Sequence, residues 1–300
     1  MTSFWSTQSL VTNPGKDAQI LAALDSFPSD ISSLRAIASE FCLHYRVFES
    51  VVLPSRKDEI HTTYADEMFT RILSRGQPLD RKRSPDQRTV GCCRDSTVLL
   101  VSLLRHKGIP ARVRIGSAAY FDEEYMMDHV VAEVWDANEN RWRMFDPDVP
   151  TSLVKFVNGK KVDWNDLRPG IDFQTAAEAW TAARSGSIDP NNYIIARGLD
   201  IKGLPYIAVN VIHDLAALNK QEMLLWDSWG VQDEFGKIVP EDKIPLIDEI
   251  AKLLLDRDVQ PGQIQALMAR KELAVPDTVL RFDPNAPSQP PKPVGVRQAV

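Results

Sequence analysis

Hydrophobic residues recur every three or four positions in two stretches near the start of the chain, residues 16–50 and 58–75. This spacing places apolar side chains on one face of a helix. Pro28 interrupts the first stretch and Gly76 follows the second, so both residues mark helix ends. The next segment, residues 77–90, is polar, basic and contains proline, which is typical of a loop.

The clearest helical pattern lies in residues 94–107. Val98, Val101 and Leu104 follow one another at three-residue steps, and further leucines fill the same side. Gly108, with a proline shortly after it, prevents the helix from continuing. The sequence therefore predicts one well-defined helix in the middle of the chain.

Beyond this helix the apolar period shortens to two residues, which predicts β-strands. Residues 111–115 alternate apolar and charged side chains, parts of 130–135 do the same, and 142–145 form a short aromatic run. The polar residues 138–140 fit a hairpin turn, which joins antiparallel strands. The centre of the chain is therefore predicted to be a helix followed by an antiparallel sheet.

After residue 150 the periodic signal weakens, although residues 207–225 and 244–256 again show helical spacing. Residues 283–300 are rich in proline and have no apolar period, which is typical of a disordered tail. The predicted organisation is a core over 1–160 that includes the N-terminal helices, a mainly helical extension over 161–282 packed on that core, and the tail.

The composition is ordinary for a folded protein in water, since 44% of the residues are hydrophobic and 25% are charged. The formal net charge of −6 argues against nucleic acid as the main partner, because binding to phosphates requires a basic face. No run approaches the ~20 apolar residues that span a bilayer, and residues 1–15 do not have the pattern of a secretion signal. We therefore expect a cytoplasmic protein with neither a membrane nor a nucleic-acid partner; the sequence does not predict its oligomeric state.

Three cysteines are present, Cys42, Cys92 and Cys93. An odd number with two of them adjacent fits a reducing compartment better than a disulfide framework. Cys93 lies at the predicted start of the helix over 94–107, where unpaired backbone amides favour a thiolate. A buried structural cysteine is the commoner case, and the cysteines by themselves favour that interpretation.

A histidine and an aspartate follow that cysteine in the order Cys, His, Asp. His129 begins the strand over 130–135, and Asp146 ends the next strand. Neighbouring antiparallel strands can place an imidazole beside a carboxylate, and the start of a helix packed against them brings a thiol to the imidazole. Each residue alone is more often structural, since an aspartate before proline usually forms a turn. Together they suit a Cys-His-Asp triad.

The stretch from Gly91 to Asp148 resembles the transglutaminase-like core shared by transglutaminases, cytoplasmic peptide N-glycanases and many microbial hydrolases. The family pattern has a glycine two residues before the nucleophilic cysteine and an acidic residue two after it, which selects Cys93 over Cys92. Many members carry an aromatic residue two positions after the histidine, where this chain has Val131. The other matching residues are Asp95, Arg105, Gly108, Ala111, Arg112, His129, Glu133, Trp142, Asp146 and Pro147.

The resemblance implies an α+β fold of the papain-like type, with the cysteine-bearing helix packed on an antiparallel sheet and additional helices toward the C-terminus. It implies that Cys93 attacks an amide, ester or thioester carbonyl, that His129 takes the thiol proton, and that Asp146 orients the imidazole. The resulting thioester is resolved by water or by an amine. The implied substrate is a peptide, a protein or a small amide or thioester, and the chemistry requires no cofactor and no metal.

Two alternatives stay open at this point. The same triad could form amides in small-molecule biosynthesis, with an acyl thioester as donor and residues 151–282 shaping the acceptor site. The chain could also be a binding scaffold without activity, since a fold does not by itself determine function. The presence of all three triad residue types favours an enzyme.

Four further residues are interpreted from their positions. Arg112 and Arg114 alternate with apolar residues on a strand, which predicts a solvated face rather than a carboxylate partner. Tyr45 and Tyr64 lie upstream of the nucleophile, and either one could donate a hydrogen bond to an oxyanion. The histidines and cysteines lack the spacing of zinc ligands, so no metal site is predicted.

Overall fold

The computed structural model describes residues 2–50, 52–76 and 78–298. Gln77, in the predicted loop, and Ala299 and Val300, at the end of the predicted tail, lie outside the described residues.

The secondary structure alternates helices with short strands. The α-helices are α1 (Thr2–Trp5), α2 (Ala18–Ser26), α3 (Ile31–Ala38), α4 (Ala65–Leu73), α5 (Cys93–His106), α6 (Ala176–Arg184), α7 (Gly203–Leu218), α8 (Ile244–Leu254) and α9 (Pro261–Met268). The strands are β1 (Cys42–His44), β2 (Thr89–Gly91), β3 (Ala111–Ala118), β4 (Met126–Asp136), β5 (Arg141–Phe145), β6 (Phe156–Val157), β7 (Lys160–Lys161), β8 (Phe173–Thr175), β9 (Tyr193–Ile194), β10 (Asp227–Ser228), β11 (Thr278–Arg281) and β12 (Lys292–Gly295). Short 3-10 helices cover Pro54–His61, Pro85–Gln87, Pro190–Asn192, Gly230–Glu234 and Glu241–Lys243. The predicted α+β class is confirmed.

The described residues group into two compact units. The first unit contains the residues up to 113 together with 131–154 and 163–166, and the second contains 114–130, 155–162 and 167 onward. Strand β3 begins in the first unit and ends in the second, whereas β4 does the reverse. The division predicted at residue 160 stays a prediction.

The N-terminal helices follow the predicted apolar spacing and break near Pro28. Asp17 caps α2 by accepting hydrogen bonds from two backbone amides, and Asp30 caps α3 by accepting one. The helix predicted over 58–75 is shorter than expected, because α4 covers only its second half and a 3-10 helix precedes it.

Strands β1 and β2 correct two predictions. Cys42–His44 lies in the stretch predicted to be helical, and Thr89–Gly91 lies at the end of a predicted loop, yet the two segments pair as parallel strands. Their register places His44 opposite Gly91. Each strand is defined by a partner far away along the chain, so the local apolar pattern carries no sign of it.

Helix α5 runs through the interior of the first unit. Every residue from Cys93 to Arg105 is buried, and α2, α3 and α4 contact the helix. Arg105 donates hydrogen bonds to the Ala111 carbonyl at 3.0 Å and to the Thr12 hydroxyl at 3.0 Å, which satisfies part of a buried charge. The predicted helix is confirmed, although it is buried on all sides rather than on one.

The sheet of the first unit contains the start of β3, the end of β4 and β5, in the order β3-β4-β5. Strands β4 and β5 pair antiparallel from Ala132↔Phe145 to Asp136↔Arg141. Asn140, in the turn between them, has a φ of 51°, a conformation that asparagine tolerates better than most residues. The predicted hairpin is confirmed.

In the second unit the strand order is β8-β3-β4-β9. Strand β8 is antiparallel to β3, and β9 is parallel to β4. Helices α6, α7 and α8 pack against one another, and α9 contacts α7, so the predicted C-terminal helices are confirmed. Within the described residues, no helix combines the length and the apolar character that crossing a bilayer requires.

The C-terminal segment forms a strand where the sequence predicted disorder over 283–300. Strand β12 pairs antiparallel with β11 from Thr278↔Gly295 to Arg281↔Lys292, and β10 pairs with the other edge of β11. Pro293 is accommodated because β12 is an edge strand. The prediction of disorder was therefore wrong for Lys292–Gly295, since a distant partner supplies the order that local periodicity lacks.

We expect truncation after Phe282 to lower the melting temperature by about 2–4 °C, because it removes a ladder worth ~1 kcal/mol. Truncation after Val296 is the matched control, since it keeps β12 and the hydrogen bond of Val296 N–H to Asp277. Thermal denaturation of the two variants measures the difference. Equal melting temperatures would mean that β12 contributes no stability.

Candidate active site

Cys93 is the first residue of α5 and is 4% exposed. Cys92 is the N-cap residue, and its backbone N–H donates to Asp95 Oδ2 at 2.8 Å. The carboxylate of Asp95 thus caps the helix, and the other first-turn amides lie beside Cys93. Helix amides at this position carry a partial positive charge that stabilises a thiolate.

The spacing of Gly91, Cys93 and Asp95 has a steric reason. A Cβ atom at Gly91 would lie 2.9 Å from both Cβ and Cγ of Asp95 and would collide with them. Asp95 is also ion-paired with Arg94 at 2.9 Å, and both side chains are buried. Burial raises the pKa of the Asp95 carboxyl, and the Arg94 guanidinium opposes that shift. The glycine therefore provides the space for the carboxylate that organises the helix start.

The other two cysteines are poor candidates for the nucleophile. Burial raises the pKa of the Cys42 thiol well above its ordinary value, and the nearby Asp95 and Asp148 carboxylates raise it further. At Cys92 the hydrogen bond with Cys93 lowers the thiol pKa, but burial and Asp95 outweigh it and the pKa is raised. Both thiols are therefore held in their protonated form.

Asp146 follows the last residue of β5 and is fully buried. Its Oδ1 accepts a hydrogen bond from the Asp148 N–H at 2.9 Å, and its backbone carbonyl accepts one from Arg35 Nε at 2.7 Å. Arg35, on α3, also donates to the Val149 carbonyl at 2.5 Å. This buried arginine holds the segment that carries Asp146, and no local pattern in the sequence indicated that role.

One histidine of the first unit lies beside the start of α5. His44 is opposite Gly91 in the β1–β2 pairing. Its Nδ1 accepts the Arg46 N–H at 3.3 Å, and its Nε2 lies 4.0 Å from Asp148 Oδ2. Asp148 Oδ1 in turn accepts a hydrogen bond from Ser96, one turn along α5 from Cys93, at 2.8 Å. No local sequence pattern indicated this imidazole–carboxylate pair, because it depends on the pairing of β1 with β2.

Tyr45 lies next to the same helix start. Its N–H donates to the Gly91 carbonyl at 2.9 Å, and its ring stacks on that of His44. Burial raises the pKa of Tyr45; the adjacent Arg46 opposes the shift, and Cys92 and Cys93 add to it. The phenol is therefore held protonated. Tyr64, the other tyrosine considered from sequence, is instead the N-cap residue of α4.

His129 lies on β4 in the second unit and is 2% exposed. The Phe121 ring meets it edge-on with centroids 4.9 Å apart, and the Tyr120 ring does so at 5.9 Å. These aromatic residues come from the segment before β4. They supply an aromatic environment for the imidazole although residue 131, two positions after it, is a valine.

Arg112 and Arg114 are both buried, so the prediction of a solvated face was wrong. In the first unit, Arg112 Nε donates to Glu133 Oε2 at 2.7 Å, and both side chains are 0% exposed. The Arg112 guanidinium also lies 4.0 Å from the Trp142 ring centroid and 4.8 Å from that of Trp5. In the second unit, Arg114 forms its own buried ion pair. Three residues of the family pattern, Arg112, Glu133 and Trp142, therefore form one packed cluster.

The structure thus places Cys93 and Asp146 in the first unit and His129 in the second. Across the described ranges, no group of three or more histidine, cysteine, aspartate or glutamate side chains could hold a metal ion. The groups near Cys93 are those of nucleophilic and acid–base chemistry: thiols, imidazole, carboxylates and a protonated phenol.

Comparison with known proteins gave two findings. Residues 59–147 match the model of the transglutaminase-like superfamily, a segment that includes Cys93, His129 and Asp146. A solved structure of a candidate cysteine protease from Cytophaga hutchinsonii aligns with 55% of this chain and 67% of its own, at 19% identity and a TM-score of 0.22. The search of curated proteins gave no match. The family match supports a cysteine-dependent enzyme, and residues 59–147 of this chain are similar to the transglutaminase-like core.

Proposed function

We propose that the protein is a cysteine-dependent hydrolase or acyltransferase that acts on an amide or thioester carbonyl through Cys93, His129 and Asp146. The observation that carries the proposal is the position of Cys93 as the first residue of α5, on a helix start capped by Asp95. All three proposed triad residues fall within the segment that matches the transglutaminase-like superfamily.

In the proposed reaction His129 takes the proton of the Cys93 thiol, and the thiolate attacks the substrate carbonyl carbon. The tetrahedral intermediate then collapses to a thioester, and the imidazolium returns the proton to the departing amine or thiol. Water, or an amine in the case of acyl transfer, attacks the thioester and releases Cys93. Asp146 keeps the imidazole in the tautomer whose free nitrogen can accept the proton.

The oxyanion of the tetrahedral intermediate needs hydrogen-bond donors. The backbone N–H of Cys93 is one candidate, because Cys93 is the first residue of α5 and the amides of a first helical turn point toward the N-terminal end, where they can stabilise negative charge. We propose the Tyr45 hydroxyl as the second donor. Its position beside Gly91 and the raised pKa that keeps it protonated support this choice over Tyr64.

The acyl acceptor distinguishes the two forms of the proposal. Incubating the purified protein with peptide amides and with acyl thioesters, each with and without an added primary amine, and identifying products by mass, separates them. A free acid as product means hydrolysis, and a new amide means acyl transfer. If no substrate of either class is consumed, the binding-scaffold alternative is favoured.

Alkylation of the thiol tests the base independently of any substrate. Near neutral pH we expect iodoacetamide to label Cys93 before Cys92 and Cys42, because only Cys93 occupies the first position of α5. We expect His129→Gln to slow that labelling at least ~10-fold, because the imidazole no longer accepts the thiol proton. Peptide mass spectrometry measures the labelling at each cysteine.

Two other histidines make this test specific. His106→Gln is the matched control, since His106 is the last residue of α5 and pairs with Asp25, and it should leave labelling unchanged. His44→Gln tests the competing imidazole beside Asp148. If His44→Gln slows labelling and His129→Gln does not, the base is His44 and the proposed triad is wrong.

A further inference from the structure

Helix α7 presents a stripe of three polar side chains, Tyr206, Asn210 and Asp214, at four-residue spacing. This spacing places them on one face of the helix. All three are at most 6% exposed, although this helix is otherwise predominantly apolar. Each of them makes a hydrogen bond to a strand of the second unit.

The last residue of the stripe holds β3. Asp214 Oδ2 accepts a hydrogen bond from an Arg114 guanidinium nitrogen at 2.9 Å, and its Oδ1 accepts the backbone N–H of Ile115 at 2.8 Å. A charged carboxylate that binds both the side chain of one residue and the backbone of the next fixes the strand relative to the helix.

The first two residues of the stripe hold β4. Asp128 Oδ1 accepts a hydrogen bond from the Tyr206 hydroxyl at 2.9 Å and another from Asn210 Nδ2 at 3.0 Å. Burial raises the pKa of Tyr206 well above its ordinary value, and the Asp128 carboxylate adds to the shift, so the phenol remains a donor. The carboxylate is thus held by two donors one helical turn apart.

Asp128 immediately precedes His129 on β4. Because successive side chains of a strand point to opposite faces, holding Asp128 on one face determines the direction in which His129 points on the other. The backbone between them cannot rotate without breaking two part-buried hydrogen bonds. The Tyr120 and Phe121 rings contact the imidazole, but edge-on ring contacts are weaker constraints than a hydrogen-bonded carboxylate.

We propose that Asp128, Tyr206 and Asn210 are positioning residues that hold His129 in its catalytic orientation, so that α7 affects the chemistry through His129. This inference rests on the proposed function, since it assumes that His129 is the base. In this proposal the region after residue 160 holds the side chain of the catalytic base.

The test compares two Tyr→Phe substitutions. Tyr206→Phe removes one donor to Asp128, whereas Tyr193→Phe removes a hydroxyl that donates to Gln174 and not to Asp128. Tyr193→Phe is the matched control, because Tyr206 and Tyr193 are similarly buried, at 5% and 4% exposed, and both belong to the second unit. We expect Tyr206→Phe to lower kcat by about 10- to 100-fold with little change in KM, and Tyr193→Phe to leave both constants unchanged.

A spectroscopic measurement separates positioning from general loosening and needs no substrate. With 13C-labelled histidine, the chain gives signals from five imidazoles, and the His129 signal is identified by its loss in His129→Gln. We expect Tyr206→Phe to shift or broaden that signal and Tyr193→Phe to leave it unchanged. Asn210→Leu, which removes the second donor at similar volume, should act like Tyr206→Phe, and it replaces that variant if Tyr206→Phe fails to fold.

The proposal is overturned if the His129 signal is the same in Tyr206→Phe and the parent, if Tyr193→Phe perturbs it equally, or if kcat is unchanged when the signal moves. A failure of the proposed function gives a different result. If His129 is not the base, His129→Gln leaves both Cys93 labelling and turnover at the parent level, whatever Tyr206→Phe does to the imidazole signal.

Discussion

Cys93→Ala is expected to abolish turnover of any amide or thioester substrate that the parent protein consumes. The substitution removes the sulfur that forms the covalent intermediate, and no neighbouring group can replace it, because the Cys92 and Cys42 thiols have raised pKa values. The fold should survive, since alanine favours helix and the first turn of α5 is capped by Asp95 rather than by the cysteine. Product detection by mass, with circular dichroism as the folding check, measures both outcomes.

Asp146→Asn is expected to reduce turnover strongly without abolishing it. An amide in place of the carboxylate disfavours the productive imidazole tautomer, and in a serine-protease triad the equivalent change costs ~10⁴-fold in turnover. We expect a severe loss with residual activity, in contrast to the complete loss in Cys93→Ala. The backbone carbonyl at residue 146 still accepts the hydrogen bond from Arg35, so the local fold should be retained.

Cys92→Ala is the control for both variants, since it alters the adjacent thiol and leaves the proposed nucleophile in place. Parent-like turnover in Cys93→Ala and Asp146→Asn, with both proteins folded, would contradict the catalytic interpretation. The chain would then serve as a binding scaffold.

The largest loss of stability is expected from Glu133→Ala. The carboxylate of Glu133 accepts a hydrogen bond from Arg112 at 2.7 Å, and both side chains are 0% exposed. Without it, the guanidinium stays buried against Trp5 and Trp142 with its main carboxylate partner removed. Breaking one side of a buried ion pair costs ~3–5 kcal/mol, so the midpoint of urea denaturation should fall sharply.

A double substitution distinguishes the cost of an uncompensated charge from the cost of lost packing. In Arg112→Met combined with Glu133→Leu, both charges disappear while apolar side chains fill the space, and such replacements are often neutral or stabilising. We therefore expect the double variant to be more stable than Glu133→Ala alone. If the two are equally destabilised, the pair contributes through its shape rather than its charge.

Local sequence patterns determined the elements at the centre of the chain. The three-residue apolar steps from Val98 to Leu104, with Gly108 at the end, predicted α5, and the alternation after Pro110 predicted the central strands. These signals are local because they arise from the geometry of one helix or one strand. The motif from Gly91 to Asp95 is also local, since the glycine makes room for a carboxylate only four residues away.

Tertiary pairing decided the features that the sequence missed. The strands at Cys42–His44 and Lys292–Gly295 exist because distant segments pair with them. The same holds for the environment of the candidate site: His44 lies beside the start of α5 through that pairing, and Arg35 reaches the Asp146 carbonyl from another helix.

The burial of Arg112 shows most clearly what a local sequence pattern does not predict. Alternation of charged and apolar residues on a strand indicates that one face differs from the other, but it does not indicate what covers the charged face. Here that face is covered by Glu133 and two tryptophans, and in the second unit Asp214 of α7 plays the same part for Arg114. The sequence by itself predicted Cys93, His129 and Asp146 as nucleophile, base and orienting group, because the chemistry of the side chains and their order along the chain can be read without the structure. Only the tertiary structure decided which buried charges hold the neighbouring elements, because a charge enters the interior only where a partner from elsewhere in the chain offsets its desolvation.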